Sequence, residues 1–137
     1  MRWKPILLTF VIASIPFSLR AEFLAGSAIT DVTPKQLPVF VNGGMTSRSV
    51  DKINTPVSAR SLAFSDGKEK IVIVVVDSCM MPRPLLDQAK TIAAEKAGIP
   101  KEHILISATH THTAPSCMGA LGTDADPAYV LFLTKKL

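Results

Sequence analysis

Lys70 to Asp77, KIVIVVVD, is an unbroken β-branched run between one charged residue and another. Val and Ile are stiff at χ1 and pack well on a pleated surface, so the run predicts a strand. Its apolar residues are continuous rather than alternating, which predicts a central strand covered on both faces, as in α/β sheets. Pro84 to Ala97 then places Leu85, Leu86, Ala89, Ile92 and Ala93 at helical spacing. Pro84 suits a first helical position, and Gly98 followed by Pro100 ends the helix. His103 to Ser107, HILIS, is a second short apolar strand. Strand, helix, strand at this spacing is a βαβ unit, with parallel strands and a right-handed crossover.

The remaining segments arrange themselves around that unit. Val57 to Phe64 alternates, and Ser65-Asp66-Gly67 supplies turn chemistry, so this segment and Lys70 to Asp77 form a β-hairpin. A further strand is expected through Gly26 to Ile29, closed by a turn at Asp31 to Pro34. Gln36 to Asn54, with Asn42-Gly43-Gly44-Met45, is expected to be a long loop, and so is Thr113 to Asp126. Asp126-Pro127 has the form of an N-cap followed by Pro at the first helical position, opening a helix over Ala128 to Leu137. Capping and turn roles account for Asp124 and Asp126 better than metal binding does. The fold class is therefore α/β: a β-hairpin plus a right-handed βαβ unit in a mixed sheet. The last helix has no terminator after it, so residues 22–137 are expected to be the N-terminal portion of a larger domain.

Met1 to Ala21 carries Arg2 and Lys4 ahead of an apolar stretch from Ile6 to Phe17, the pattern of a secretory signal peptide. The expected location is secreted or periplasmic, with a retained N-terminal membrane anchor as the alternative. That segment holds three of the 15 basic residues and no acidic one, leaving 12 basic against 11 acidic in the rest of the chain. The net charge of +4 is thus mostly a targeting signal. Without a basic stripe carrying interleaved aromatics, nucleic acid is not an expected partner. Cys79 and Cys117 would meet an oxidising compartment after export, either as a disulfide or as buried free thiols.

Two of the three histidines fall just past the second strand of the βαβ unit, in Ser107-Ala-Thr-His-Thr-His112. Residues i and i+2 of an extended backbone point to one side, so His110 and His112 can aim at a common point. Open α/β sheets bind ligands beyond the carboxyl ends of their strands, the rim that Asp77 and Cys79 also share. His103 belongs to the opposite end. A zinc ion held by histidines brings its bound water to near neutrality and polarises a carbonyl. A neighbouring histidine can then move a proton or donate to an oxyanion, and Asp77 could orient a ligand imidazole from behind. No Gly-x-Ser-x-Gly elbow, phosphate-binding Gly loop or His-x-His-x-Asp-His motif is present. Two alternatives stand beside a mononuclear zinc site: an amidohydrolase-type barrel opening with His-x-His, and a non-enzymatic exported binding module.

Ala25 to Pro34 (AGSAITDVTP), Ala59 to Ala63, the strand end Val74 to Asp77 and above all Leu105 to Pro115 (LISATHTHTAP) resemble the N-terminal catalytic domain of the neutral/alkaline, non-lysosomal ceramidases. The resemblance implies a zinc-dependent amidase that cleaves the N-acyl bond of ceramide, giving a sphingoid base and a fatty acid. It implies His110 as a zinc ligand and His112 as a catalytic group contacting substrate or assisting proton transfer. The partner would be a ceramide-like lipid amide, reached with contact at a membrane surface. The family's further ligands, a His, a Glu and a Tyr, and its catalytic Ser and Arg match no position here. The 137-residue chain alone is accordingly expected to be inactive. Where the family commonly has Ser-Gly after the second histidine, this chain has Thr113-Ala114, so the adjoining loop is expected to differ in shape.

Overall fold

Why the β-branched run forms a central strand is visible in its neighbours. The computed structural model describes residues 22–137, and the signal-peptide reading of residues 1–21 lies outside them. Its elements are β1 (Leu24–Asp31), β2 (Val39–Phe40), β3 (Ser49–Val50), β4 (Ser58–Ser65), β5 (Lys70–Val76), α1 (Arg83–Ala97), β6 (Ile104–Ala108) and α2 (Pro127–Lys136). A four-stranded mixed sheet runs β1-β4-β5-β6, with β1·β4 and β4·β5 antiparallel and β5·β6 parallel. The hairpin and the βαβ unit are both present, sharing β5. Two antiparallel pairings in one small sheet do not fit the all-parallel start of a barrel.

Local chemistry sets the boundaries. At the hairpin turn Asp66 Oδ1 accepts from the N–H groups of Lys68 and Glu69, and Gly67 takes φ +88°. Gly98 ends α1 in the left-handed region, its N–H donating to Ala94 O at 2.9 Å. Asp126 caps α2 by accepting from Tyr129 N–H at 3.0 Å, the role its sequence position suggests.

Among the described residues β5 is covered on one face. Val74 and Val76 are buried in one cluster with Ile104, Ile106, Leu85, Ala89 and Leu133, so β5, β6, α1 and α2 share a core. On the other face Ile71 is 46% exposed and Val75 36%, beside the exposed Leu62 and Leu105. Both helices pack against one side of the sheet, and β5 is central only in the plane of its hydrogen bonds.

Two segments differ from expectation. β1 is longer than Gly26 to Ile29 and pairs with β4 along its whole length, Leu24 opposite Ser65 through Asp31 opposite Ser58. Within the expected loop Gln36 to Asn54, β2 and β3 form a small ladder, Val39 opposite Val50, and Val41 bridges to Pro115. That bridge brings the Asn42-Gly43 turn against the segment holding the histidines. Among the described residues no helix is long and apolar enough to cross a membrane.

Candidate metal centre

β6 ends at Ala108, and Thr109 N–H donates to Val76 O at 2.9 Å, fixing where the chain leaves the sheet. His110 then takes φ +63°. A non-glycine residue there stores strain of order 1 kcal/mol, a cost that concentrates at functional sites. The two imidazoles do converge, but through this left-handed turn rather than through strand alternation. His110 Nε2 and His112 Nε2 lie 3.2 Å apart, with the rings edge to face at 4.8 Å between centroids.

The proton on His110 follows from its partner. Nδ1 is 2.9 Å from the carbonyl oxygen of Cys79, which can only accept, so Nδ1 carries the hydrogen and Nε2 presents a lone pair. This carbonyl does for His110 what Asp77 was expected to do. Asp77 is committed elsewhere, accepting from Ser58 N–H at 2.9 Å and from Arg60 at 2.8 Å. Its partial burial pushes the carboxyl pKa up, but the Arg60 and Ser58 hydrogen bonds outweigh that and hold it below the usual range. Asp77 stands at the same rim and closes β4 onto the end of β5. His103 lies at the opposite end, with Nδ1 3.0 Å from Lys70 O and 3.4 Å from Glu69 Oε2.

His112 is held from two sides. Arg48 donates to its carbonyl oxygen at 3.0 Å. Gly43, at φ +98°, lies so close that a Cβ built on it would overlap Cα and Cβ of His112. Asn42 anchors that glycine: it is buried, its N–H donates to Ala114 O at 3.3 Å and its Nδ2 to Met118 O at 3.1 Å. Sequence reasoning noted the Gly43-Gly44 pair only as loop and missed its contact with the histidine. The available signal was positional, two glycines in a segment that otherwise lacks periodicity.

Cys79 joins the histidines. Its Sγ is 3.9 Å from His110 Nδ1, and one donor atom from each of Cys79, His110 and His112 lies within 4.8 Å of the others. Cys79 is buried, while both histidines are exposed. No disulfide forms: Cys79 and Cys117 are both free and buried. Cys117 Sγ donates to Met80 O at 3.0 Å and lies 3.5 Å from Ser78 Oγ. Burial pushes its thiol pKa up.

These residues fit a borderline-soft cation. A zinc ion about 2.0–2.1 Å from His110 Nε2 would lie beside His112 Nε2, itself 3.2 Å from His110 Nε2. Beside the triplet, Thr111 and Thr113 help line a cavity of about 450 Å³ whose walls include Val39, Val41, Val50 and Ile53, with Arg48 and Lys52 among its polar residues.

A mixed α/β fold with a nitrogen-rich donor cluster past the parallel strand ends invites comparison with metallohydrolases. No family model matches this sequence, and no curated protein matches it. Solved structures do. The chain superposes on the neutral ceramidase of Pseudomonas aeruginosa with a TM-score of 0.70, at 16% identity over 83% of this chain and 20% of that one. A ceramidase complexed with C2 matches with a TM-score of 0.71, again at 16% identity over 83% of this chain, and 19% of its own length. The fold is that of part of a ceramidase structure, and the chain spans about a fifth of the length of the proteins it matches.

Proposed function

We propose that this chain carries the metal-binding strand end of a zinc-dependent N-acyl amide hydrolase of the ceramidase type. The observation that carries the reading is the pair of Nε2 atoms 3.2 Å apart, with the His110 tautomer set by the Cys79 carbonyl. The ceramidase-like fold around them supports it. His110 is the zinc ligand, and bound zinc would supply an activated water and a polarised carbonyl. His112, in contact with the His110 imidazole, is placed to hold or pass a proton beside that centre. Gly43 and Arg48 keep its ring there. Asp77 lines the same cavity, its carboxylate held at the rim by Ser58 and Arg60. The substrate is an N-acylated sphingoid base or a closely related lipid amide. The cavity beside Thr111 and Thr113 joins apolar walls to two cationic residues, which suits an amphiphile drawn from a membrane surface. Such a substrate and an exported location go together, and the exported form would begin near residue 22.

The test is zinc binding by the complete gene product, followed by hydrolysis assays on short-chain N-acylsphingosine against an N-acyl amino acid, since these 137 residues span only about a fifth of the proteins they match. One zinc per chain, lost in His110→Ala, is expected. A chain that takes up no zinc, or one whose zinc is unchanged in His110→Ala, overturns the reading. Hydrolysis of the amino-acid amide in preference to the lipid amide would leave the metal and remove the ceramide assignment.

A further inference from the structure

The triplet Ser-Cys-Met occurs twice, at Ser78 to Met80 just beyond β5 and at Ser116 to Met118 in the loop after the histidines. The two copies fold alike. Each serine is fully buried, and its hydroxyl donates to the carbonyl oxygen of the methionine two residues on, at 3.1 Å in the first turn and 3.2 Å in the second. Each methionine carbonyl also accepts from a distant segment: Cys117 Sγ donates to Met80 O, and Asn42 Nδ2 to Met118 O. They differ in what they hold. The second turn braces Asn42, whereas the first presents the Cys79 carbonyl to His110 Nδ1 at 2.9 Å. We propose that Ser78 is a positioning residue for the metal centre, its clamped turn setting the plane and tautomer of the His110 imidazole. The inference rests on the zinc reading above and adds the group that orients the ligand.

A carbonyl turns with the peptide plane that carries it, and the plane between Cys79 and Met80 can swing about the two soft dihedrals that flank it. Ser78 restrains it from both sides. Its N–H donates to Val76 O at 2.8 Å, ahead of the cysteine, and its hydroxyl reaches over the cysteine to Met80 O. Val76 O accepts in addition from Thr109 N–H at 2.9 Å. One carbonyl therefore ties the turn after β5 to the residue before His110, so the imidazole and its acceptor are set by the same frame.

The consequence is chemical. A neutral imidazole binds a metal through the nitrogen that lacks a hydrogen, and the partner of the other nitrogen decides which one that is. A histidine side chain in water favours the hydrogen on Nε2, which would close the nitrogen that faces His112. A fixed carbonyl at Nδ1 reverses that preference and leaves the Nε2 lone pair open. The Ser78 hydroxyl does this without touching the ring, by holding the carbonyl that does.

Nitrogen NMR of the metal-free complete gene product, labelled at histidine and held above the pH range in which imidazoles protonate, reads the tautomer, with His110→Ala assigning the ring. The wild type should carry its hydrogen on His110 Nδ1. In Ser78→Ala the signal should move toward the Nε2-protonated form, and zinc affinity should fall roughly tenfold, the low end of what loss of an outer partner costs. Ser116→Ala breaks the matching bond in the second turn and should leave the His110 Nδ1 signal as in the wild type. Ser78→Cys keeps a weaker donor of similar size; it should shift the ring the same way to a smaller extent, and it serves if the alanine variant does not fold. A folded Ser78 variant with an unchanged ring signal or unchanged zinc affinity overturns the proposal and leaves the zinc site standing. An equal shift in Ser116→Ala, or a wild type protonated at Nε2, overturns it as well. A wild type that shows the expected ring signals but binds no zinc overturns the metal reading alone.

Discussion

Two corners of one sheet rim hold polar side chains in opposite conditions. At the Asp77 corner every charge has a partner: the carboxylate takes one hydrogen bond from Ser58 N–H and another from Arg60. At the His110 corner two imidazole nitrogens face each other at 3.2 Å beside a buried thiol, and the backbone is strained at φ +63°. The first corner is complete as it stands. At the second the lone pair of His110 Nε2 is open to a cation or to a His112 N–H, so its partner can be exchanged, which is how a binding site differs from a structural cluster.

Breaking the second corner should have the largest effect. His110→Ala removes the nitrogen whose tautomer is fixed, and with it the convergence on His112. Zinc retention measured by equilibrium dialysis should fall to the level of a chain without a site. Stability should fall by about 1 kcal/mol, since alanine keeps the left-handed strain and loses the hydrogen bond to the Cys79 carbonyl. Retained stoichiometric zinc would make the two corners equivalent and end the comparison.

Gly43→Ala attacks the same corner from outside the donor set. The added Cβ would overlap His112, and φ +98° is unfavourable for any side chain. The expected cost is about 2 kcal/mol or more in folding free energy. Zinc affinity should weaken by roughly 10- to 100-fold, as when an orienting partner is lost. Denaturant unfolding and zinc titration on one preparation separate the two. A loss of stability with unchanged affinity would show that His112 is not held by this contact.

The sequence made these corners unequally legible. KIVIVVVD, the helix after it and HILIS are long enough in pattern for β5, α1 and β6 to be placed, and the rim follows from βαβ geometry. His-Thr-His announces itself by residue type. What remained hidden depends on contacts distant in sequence. Gly43 meets His112 only because Val41 bridges to Pro115. The Cys79 carbonyl displaces Asp77 as the partner of His110 because β4 delivers Arg60 and Ser58 to that carboxylate first. Continuous hydrophobicity in β5 extends to a second face, with Ile71 and Val75, on which no described helix packs. Residue type does not report on which side of a sheet the helices settle.

Cys117→Ser is a smaller perturbation. The thiol is buried against Ser78 and Met80 O, and serine keeps a donor for that carbonyl. A destabilisation of about 1 kcal/mol is expected from the altered packing and hydrogen bonding. Zinc affinity should stay within about twofold, because this sulfur lies outside the donor cluster. A tenfold change would mean that the two cysteines are coupled through Ser78.

The smallest effect on metal binding is expected from Asp77→Asn, which tests whether the first corner is purely structural. Asparagine still offers Ser58 N–H an acceptor and loses only the charge facing Arg60, whose side chain is 52% exposed and therefore well screened. Zinc affinity should be unchanged and the stability cost about 1 kcal/mol at neutral pH. The sign of the pH dependence follows from the depressed carboxyl pKa in the folded chain. The folded state holds its proton less tightly than the unfolded one, so the contribution is full above the unfolded value of about 3.9 and is lost as pH falls through the folded value. Unfolding curves for wild type and Asp77→Asn should therefore differ at pH 7 and draw together in acid. A gap that stays constant with pH would locate the cost in packing rather than charge, and a fall in zinc affinity would return Asp77 to the metal's own network.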